Sequence, residues 1–312
     1  MPYGNQTMIQ KPKVIAVIGP TAVGKSALAV ELALRFGGEI ISCDSMQVYR
    51  GMDIGTGKVT PAQMRGVPHH MIDIVDPNEN FSCAEYAERA TQVAKELAER
   101  GTLPIFCGGT GQYLDAVLTG NVFSQAGEDP ALRERLSARE RDSLWEELQR
   151  IDPVSAEAIH PNNKKRVVRA LETYYLTGTP KSEWDRRSRL HESPWDALMI
   201  GLRADREILW RRIETRVDGM IAQGLAEEVR SLDLQPGTTA AEAIGYKELR
   251  AHLAGAQSLE EATDQIKRAS RQYAKRQMTW FRANPAVHWL DTDALSGEVL
   301  FREAERLTKE FL

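Results

Sequence analysis

The stretch Gly19-Pro20-Thr21-Ala22-Val23-Gly24-Lys25-Ser26 limits this chain to few folds. It follows the apolar run Val14-Ile15-Ala16-Val17-Ile18 and leads directly into Ala27-Leu28-Ala29-Val30-Glu31-Leu32-Ala33, so the order is strand, glycine-rich turn, helix. The string fits GxxxxGK[ST], a loop whose backbone N–H groups face phosphate oxygens while Lys25 brings positive charge and the Ser26 hydroxyl is placed for Mg2+. The helix opening at Lys25 adds the positive end of its dipole. A loose glycine-rich turn is the alternative, but the strand before and the helix after supply the context that a phosphate loop requires. The ligand implied carries at least two linked phosphates, whether or not it is a nucleotide.

With 312 residues, 42% of them hydrophobic and 27% charged, the chain has the composition of an ordinary globular protein. Met1 to Gln10 is polar and does not read as a signal peptide, and the apolar runs fall short of the ~20 residues that a membrane span needs. The expectation is a cytoplasmic protein with no membrane partner, acting as a monomer. Cys43, Cys83 and Cys107 are odd in number and form no CxxC pair, which argues against a disulfide framework and a zinc site. Cys43 and Cys107 end apolar runs and read as core thiols. A formal net charge of -4 does not advertise nucleic-acid binding, so any RNA contact must come from local basic patches.

Along the chain, Glu39 to Cys43, Leu103 to Cys107, Leu198 to Leu202 and Val287 to Leu290 repeat the short apolar pattern of Val14 to Ile18. Helices are expected between them, including a capping box at Ser82-Cys83-Ala84-Glu85 and a basic helix from Arg206 to Gln223. Five strands alternating with helices imply an α/β fold: a P-loop NTPase-like core with a mainly parallel sheet flanked by helices. Residues 122–194 lack strand-like runs. Asp129 to Leu148, Pro153 to Ile159 and Asn163 to Thr177 read as helices of an all-helical insertion. The domains expected are therefore a core of 1–121 and 195–312, interrupted by the insertion. Met46 to Asn80 is long and rich in glycine and proline, which usually marks function.

Most loops of this kind hold ATP or GTP, and a small kinase is the first reading. Such an enzyme places an Asp at a strand end to support Mg2+. Here the third strand ends in Cys107-Gly108-Gly109, whereas the second delivers Asp44 to the edge where ligands of open α/β sheets sit. Asp44 could hold Mg2+, cap a helix, or remove a proton from an attacking group. A metabolite kinase and a non-catalytic RNA-binding NTPase both remain open on this ground alone.

The phosphate loop, the block Asp44-Ser45-Met46-Gln47-Val48-Tyr49-Arg50-Gly51-Met52-Asp53-Ile54-Gly55-Thr56-Gly57-Lys58, and Gly108-Gly109-Thr110-Gly111 together resemble the tRNA dimethylallyltransferases. His160-Pro161-Asn162-Asn163 with Arg166 and Arg169 extend the likeness, as do Gly224-Leu225 before Glu227-Glu228-Val229 and Ala243-Ile244-Gly245-Tyr246-Lys247. Arg271 to Gln277 with Trp280-Phe281-Arg282 complete it, so it covers nearly the whole chain. Eukaryotic relatives carry a C-terminal zinc finger, and the chain resembles the bacterial form without one.

The resemblance implies transfer of a dimethylallyl group from dimethylallyl diphosphate to the exocyclic amine of the adenosine 3' of certain tRNA anticodons, with Mg2+ and release of pyrophosphate. It makes Gly19 to Ser26 and Arg216 the diphosphate site, with Thr21 and Lys25 at the departing charge, Asp44 as base and Ser26 toward the metal. It assigns tRNA contact to Asp44, Ser45, Met46, Gln47, Thr110, Arg133, Lys165, Arg166, Val167, Val168 and Arg169. It extends that contact to Glu242, Ala243, Ile244, Gly245, Tyr246 and Lys247. From charge alone Lys165 lies beside Arg169 on one helical face, and Lys267, Arg271 and Lys275 form a second stripe with Tyr273, Trp280 and Phe281 interleaved. A solvated face with core aromatics is the other reading of that second stripe. Thr110 could equally cap the helix that follows it.

Overall fold

An inner strand of a parallel sheet is covered on both faces and so reads as an unbroken apolar run. Val14 to Ile18 meet that requirement in β1 (Lys13–Ile18), where each is at most 1% exposed. The structure, a computed structural model, describes residues 11–120, 129–190 and 192–312. The readings made for Met1 to Gln10 and for the start of the insertion at residue 122 lie outside them.

After β1 come α1 (Lys25–Phe36), β2 (Gly38–Cys43), α2 (Pro61–Met64), β3 (His69–His70), α3 (Cys83–Glu99), β4 (Leu103–Gly108) and α4 (Gly111–Leu118). Five helices follow: α5 (Pro130–Ala138), α6 (Arg141–Ile151), α7 (Pro153–Ala158), α8 (Lys164–Thr177) and α9 (Lys181–Leu190). The alternation resumes with β5 (Asp196–Arg203), α10 (Arg206–Ala222), α11 (Leu225–Ser231), α12 (Tyr246–Leu253), α13 (Leu259–Arg282), β6 (Val287–Asp291) and α14 (Gly297–Phe311).

The described strands form one parallel sheet in the order β3-β2-β4-β1-β5-β6. Gly108 at the end of β4 pairs with Ile18 of β1 and with Cys43 of β2. The turns leaving these three strands, which begin at Gly19, Asp44 and Gly109, therefore start from one edge of the sheet. Five strands were expected and six are found among the described residues. The extra one, β3, pairs Ile40–Ile41 with His69–His70, two residues that no apolar run announces.

The chain divides into two compact units, one of the described residues up to Val117 with Trp195–Leu312, the other of those in Leu118–Pro194. In the first, α1, the sheet, α10, α13 and α14 bury Leu28, Leu32, Ile105, Ile200, Ile213 and Ala304, and a second cluster forms around Tyr49, Met52, Leu225, Tyr246 and Leu249. The helical unit has its own core of Leu136, Leu144, Leu148, Val167, Val168 and Leu171.

Where one helix was expected from Asp129 to Leu148 there are two, parted by extended backbone at Arg139 and Glu140. From Ser137 to Ser143 no large apolar side chain is available to bury across the junction. Helix α9 was not anticipated because Trp184 and Leu190 are its only large apolar residues. It is tied in by Asp152, which accepts from Ser155 N (3.0 Å) at the start of α7 and from Ser182 N (2.9 Å).

Candidate active site

The phosphate loop bends through left-handed backbone that glycine permits. Gly24 (φ 101°) is the N-cap of α1 with no side chain satisfying the first turn, which leaves those N–H groups to an anion. A Cβ on Gly19 (φ 145°) would stand 2.5 Å from the Leu202 carbonyl oxygen of β5, so the loop's approach to the sheet also requires glycine. Lys25 Nζ donates to the Pro20 carbonyl at 2.7 Å, which holds the ammonium over the loop. Crowding by protein lowers this amine to about 8; Cys107 and Asp44 raise it and Arg216 lowers it further. Behind it Cys107 is buried and its thiol is pushed up to about 11.

Arg216 reaches the same loop from α10. Its Nη1 donates to Thr21 Oγ1 at 3.0 Å and its Nη2 to the Thr56 carbonyl at 3.1 Å. Burial lowers the guanidinium's pKa and the Asp44 charge raises it. The guanidinium lies so close to Gly57 that a Cβ there would sit 2.1 Å from Nη2. The Asp53–Gly57 loop is fixed in turn by Glu228 of α11, a residue the sequence reading gave no role. Glu228 Oε2 accepts from Asp53 N (3.0 Å) and Ile54 N (2.7 Å), and Oε1 accepts from Gly55 N (3.1 Å) and the Tyr246 hydroxyl (2.6 Å).

Asp44 sits just past the end of β2, and its charge acts on both Lys25 and Arg216. Its Oδ1 accepts from Met46 N (2.9 Å) and Gln47 N (3.4 Å), an Asx turn that fixes the carboxylate's direction and caps no helix. Ser42 Oγ donates to Gln47 Oε1 at 3.1 Å. Thr110 does not use its hydroxyl as a helix cap: Oγ1 accepts from Ser45 N at 3.1 Å and lies 3.4 Å from Ser45 Oγ. Gln277, buried on α13 and also without a role in the sequence reading, joins the two turns. Its Oε1 accepts from Thr21 N (2.9 Å) and its Nε2 donates to the Gly109 carbonyl (3.0 Å). One turn earlier, burial and the Asp44 charge raise the Tyr273 hydroxyl, and hydrogen bonds to Thr110 and Gln277 lower it.

The donors around the loop are oxygens, the exposed Ser26 hydroxyl and the Asp44 carboxylate. Among the described residues no cluster of three His, Cys, Asp or Glu could hold a metal by itself. That donor set fits a hard cation such as Mg2+, which binds few protein oxygens and fills its other positions with phosphate oxygen and water.

The residues expected to meet RNA separate by burial. In the helical unit, Lys165 and Arg166 are exposed on the first turn of α8, which Asn163 caps by accepting from Arg166 N at 3.3 Å. Val167 and Val168 are 2% and 3% exposed, and their side chains belong to the core of the helical unit. Arg133 and Arg169 share the fully buried Glu172: Arg133 Nη2 lies 3.1 Å and Arg169 Nη1 2.8 Å from Oε2. Near α12, Glu242 and Lys247 are exposed and Ile244 is half-buried, whereas Ala243, Gly245 and Tyr246 are buried. Tyr246, at 0% exposed, holds Glu228 and offers no surface to RNA.

A phosphate loop on a parallel sheet, an arginine held over it by neutral oxygens and a carboxylate at the end of β2, one strand removed from β1, define a P-loop-like enzyme for a substrate with linked phosphates. The sequence pattern of the IPP transferase family matches residues 47–284. The tRNA dimethylallyltransferase of Pelotomaculum thermopropionicum is 46% identical over 97% of this chain and 98% of its own, and that of Geobacillus thermodenitrificans 48% identical over 93% and 95%. The crystal structure of a full-length tRNA isopentenylpyrophosphate transferase from Bacillus halodurans superposes with a TM-score of 0.74 at 44% identity, covering 96% of this chain and 97% of that one. A eukaryotic dimethylallyltransferase acting on tRNA gives a TM-score of 0.85 at 30% identity, over 96% of this chain and 79% of its own. The chain belongs to this family of enzymes, the tRNA dimethylallyltransferases, and the kinase reading finds no support. No described helix is long and apolar enough to cross a membrane.

Proposed function

We propose that the protein transfers the dimethylallyl group of dimethylallyl diphosphate to the N6 amine of adenosine 37, 3' of the tRNA anticodon. The bond from N6 to the allyl C1 forms, the C1–O bond breaks, its electron pair leaves with pyrophosphate, and the amine proton passes to Asp44. The product is N6-isopentenyladenosine. The observation that carries this reading is the Asp44 carboxylate at the end of β2, close enough to influence both Lys25 and Arg216. That arrangement supports a base on the amine's side and two cations on the leaving group's side.

Lys25, the Thr21 hydroxyl, the loop N–H groups of Gly19 to Ser26 and Arg216 meet the diphosphate, and they act most where negative charge grows as the C–O bond lengthens. Mg2+, when bound beside Ser26, adds Lewis-acid neutralisation of the same oxygens. The aromatic amine is a weak nucleophile, so the turn of Asp44, Ser45, Met46 and Gln47, braced by Thr110, contributes by fixing its line of attack. Lys165, Arg166, Arg169 and Arg133 on the helical unit, and separately Glu242 and Lys247 on the other unit, are the residues we assign to tRNA. The enzyme acts as a monomer in the cytoplasm.

The test is mass spectrometry of an anticodon stem-loop incubated with enzyme, Mg2+ and dimethylallyl diphosphate, where the loop adenosine gains one C5H8 unit. Asp44→Asn abolishes that gain without loss of RNA affinity. Passage of a phosphoryl group from ATP to a small acceptor, with RNA unchanged, would falsify the reading.

A further inference from the structure

A lysine ammonium leaves water at little cost only where each of its three N–H groups finds an acceptor. Lys58, whose side chain is 6% exposed, meets that condition. Its Nζ donates to the Tyr49 carbonyl at 2.6 Å, to Asp53 Oδ1 at 2.7 Å and to Asp73 Oδ1. The two carboxylates remain half in water, at 60% and 48% exposed, so the ammonium is the buried member of the cluster.

The three acceptors come from three segments, and each segment borders the site. Tyr49 closes the turn that starts at Asp44, its N–H donating to the Met46 carbonyl at 3.3 Å. Asp53 opens the loop whose Thr56 carbonyl holds Arg216. Asp73 belongs to the segment after β3, which runs along the back of the Asp44 turn. There Asp73 N donates to the Gln47 carbonyl at 3.2 Å, and Ile74 N and Val75 N donate to the Val48 carbonyl at 2.8 and 3.0 Å. Gln47 N in turn donates to the Asp44 carboxylate.

This last segment is strained. Met71 (φ 62°) and Asp73 (φ 56°) have left-handed backbone without being glycine, a conformation that persists only where the surroundings hold it. At Asp73 the hold is double, with the N–H on Gln47 and the carboxylate on Lys58. Glu228 binds the backbone of the Asp53–Gly57 loop, whereas Lys58 joins that loop to the turn of Asp44. With all three protons engaged, Lys58 has none to offer a substrate. What it does for the reaction it does through its neighbours.

We propose that Lys58 is a positioning residue that sets the spacing between the base and the leaving-group cation. Through Asp73 and the Tyr49 carbonyl it fixes the Asp44 turn, and through Asp53 it fixes the loop that holds Arg216. This rests on the prenyl-transfer reading, in which Asp44 and Arg216 serve opposite ends of the bond exchange.

The experiment is steady-state prenylation of an anticodon stem-loop, with donor KM and kcat measured separately at saturating RNA and the Tm recorded beside them. Lys58→Met, which keeps the length and removes the charge, lowers kcat about tenfold or more, the scale of a misplaced catalytic group, and raises donor KM several-fold. Asp53→Asn raises donor KM with kcat retained. Asp73→Asn, in which asparagine tolerates the left-handed backbone, lowers kcat with donor KM retained. In an Arg216→Ala background, Lys58→Met no longer changes donor KM but still lowers kcat. A merely structural lysine would lower the Tm and leave both kinetic constants of the folded protein as they are. That result, or two asparagine variants that move the same constant, overturns the proposal while prenylation by the wild type upholds the function. Should Lys58→Met fail to fold, the asparagine variants at the two exposed carboxylates decide the matter. A wild type that transfers no prenyl group to the stem-loop overturns the function and the proposal together.

Discussion

Two carboxylates organise arginines in this protein, and they do so by opposite means. Glu172 is fully buried in the helical unit and grips Arg133 and Arg169 directly. Glu228 never touches Arg216; it binds three successive backbone N–H groups and the Tyr246 hydroxyl, and the loop so fixed offers the Thr56 carbonyl to Arg216. An arginine paired with a carboxylate has a fixed direction but shares its charge. Held, among the described residues, by the Thr21 hydroxyl and a carbonyl, Arg216 keeps its charge for an incoming anion. The difference suits the proposed roles, since shape is enough for a surface that seats RNA, whereas a leaving diphosphate needs charge that strengthens as the bond breaks.

Removal of Arg216 is the strongest way to break this comparison. Arg216→Ala should lower kcat/KM for the diphosphate about 10²–10³-fold, the scale of losing one preorganised donor to developing charge, with RNA affinity unchanged. Arg216→Lys should recover part of it. Equal losses of RNA and donor affinity would show that the arginine holds the fold and does not serve the diphosphate. Glu228→Gln, measured by steady-state kinetics, should raise KM for the donor about tenfold, because the single amide oxygen can serve only two of the four donors and at least one backbone N–H is left facing the NH2 group. Combined with Arg216→Ala it should add little; a full additional tenfold would mean that Glu228 does not act through the arginine.

Glu172→Gln acts on the other unit. It should lower stability by about 1–3 kcal/mol, read as a lower Tm, with kcat at saturating RNA retained. Smaller again is Lys165→Ala with Arg166→Ala, which removes two exposed cations with no ion pairs among the described residues. RNA affinity should fall several-fold and its salt slope by about two, with no change in Tm.

Much of this was legible beforehand, and the reasons are local. Val14 to Ile18 and Leu103 to Cys107 are covered on both faces, so they advertise themselves as apolar runs, and the phosphate loop depends on glycine and lysine at fixed spacing. Asp44 drew attention because it follows a strand, whereas Thr110 did so only through the family resemblance. Glu228 and Gln277 were given no role. Glu228 stands beside Glu227 in the first turn of α11, where acid is expected to complement the helix dipole, and the loop it holds lies more than 170 residues earlier. Gln277 sits in a charged run whose buried face only packing discloses. Glu172 did leave a trace: it follows Leu171 on the apolar side of α8 and stands three residues from Arg169, a charge that burial would force into a pair. The break at Arg139 and the helix at Lys181 escaped because neither carries an apolar period.

Lys25 offers the finest test, because its charge depends on pH and that of Arg216 does not. Crowding brings its amine down from 10.5 to about 8, so the free enzyme holds the ammonium below that pH and loses it above. Donor affinity should be full below pH 8 and weaken by up to about tenfold per pH unit as pH rises through it. A bound diphosphate favours the charged form, so the enzyme–donor complex should keep its proton to higher pH and kcat should be flatter than kcat/KM across the window. Lys25→Arg, charged throughout, should abolish the upper limb while preserving that of any other group. An unchanged profile in that variant would remove Lys25 as the titrating charge.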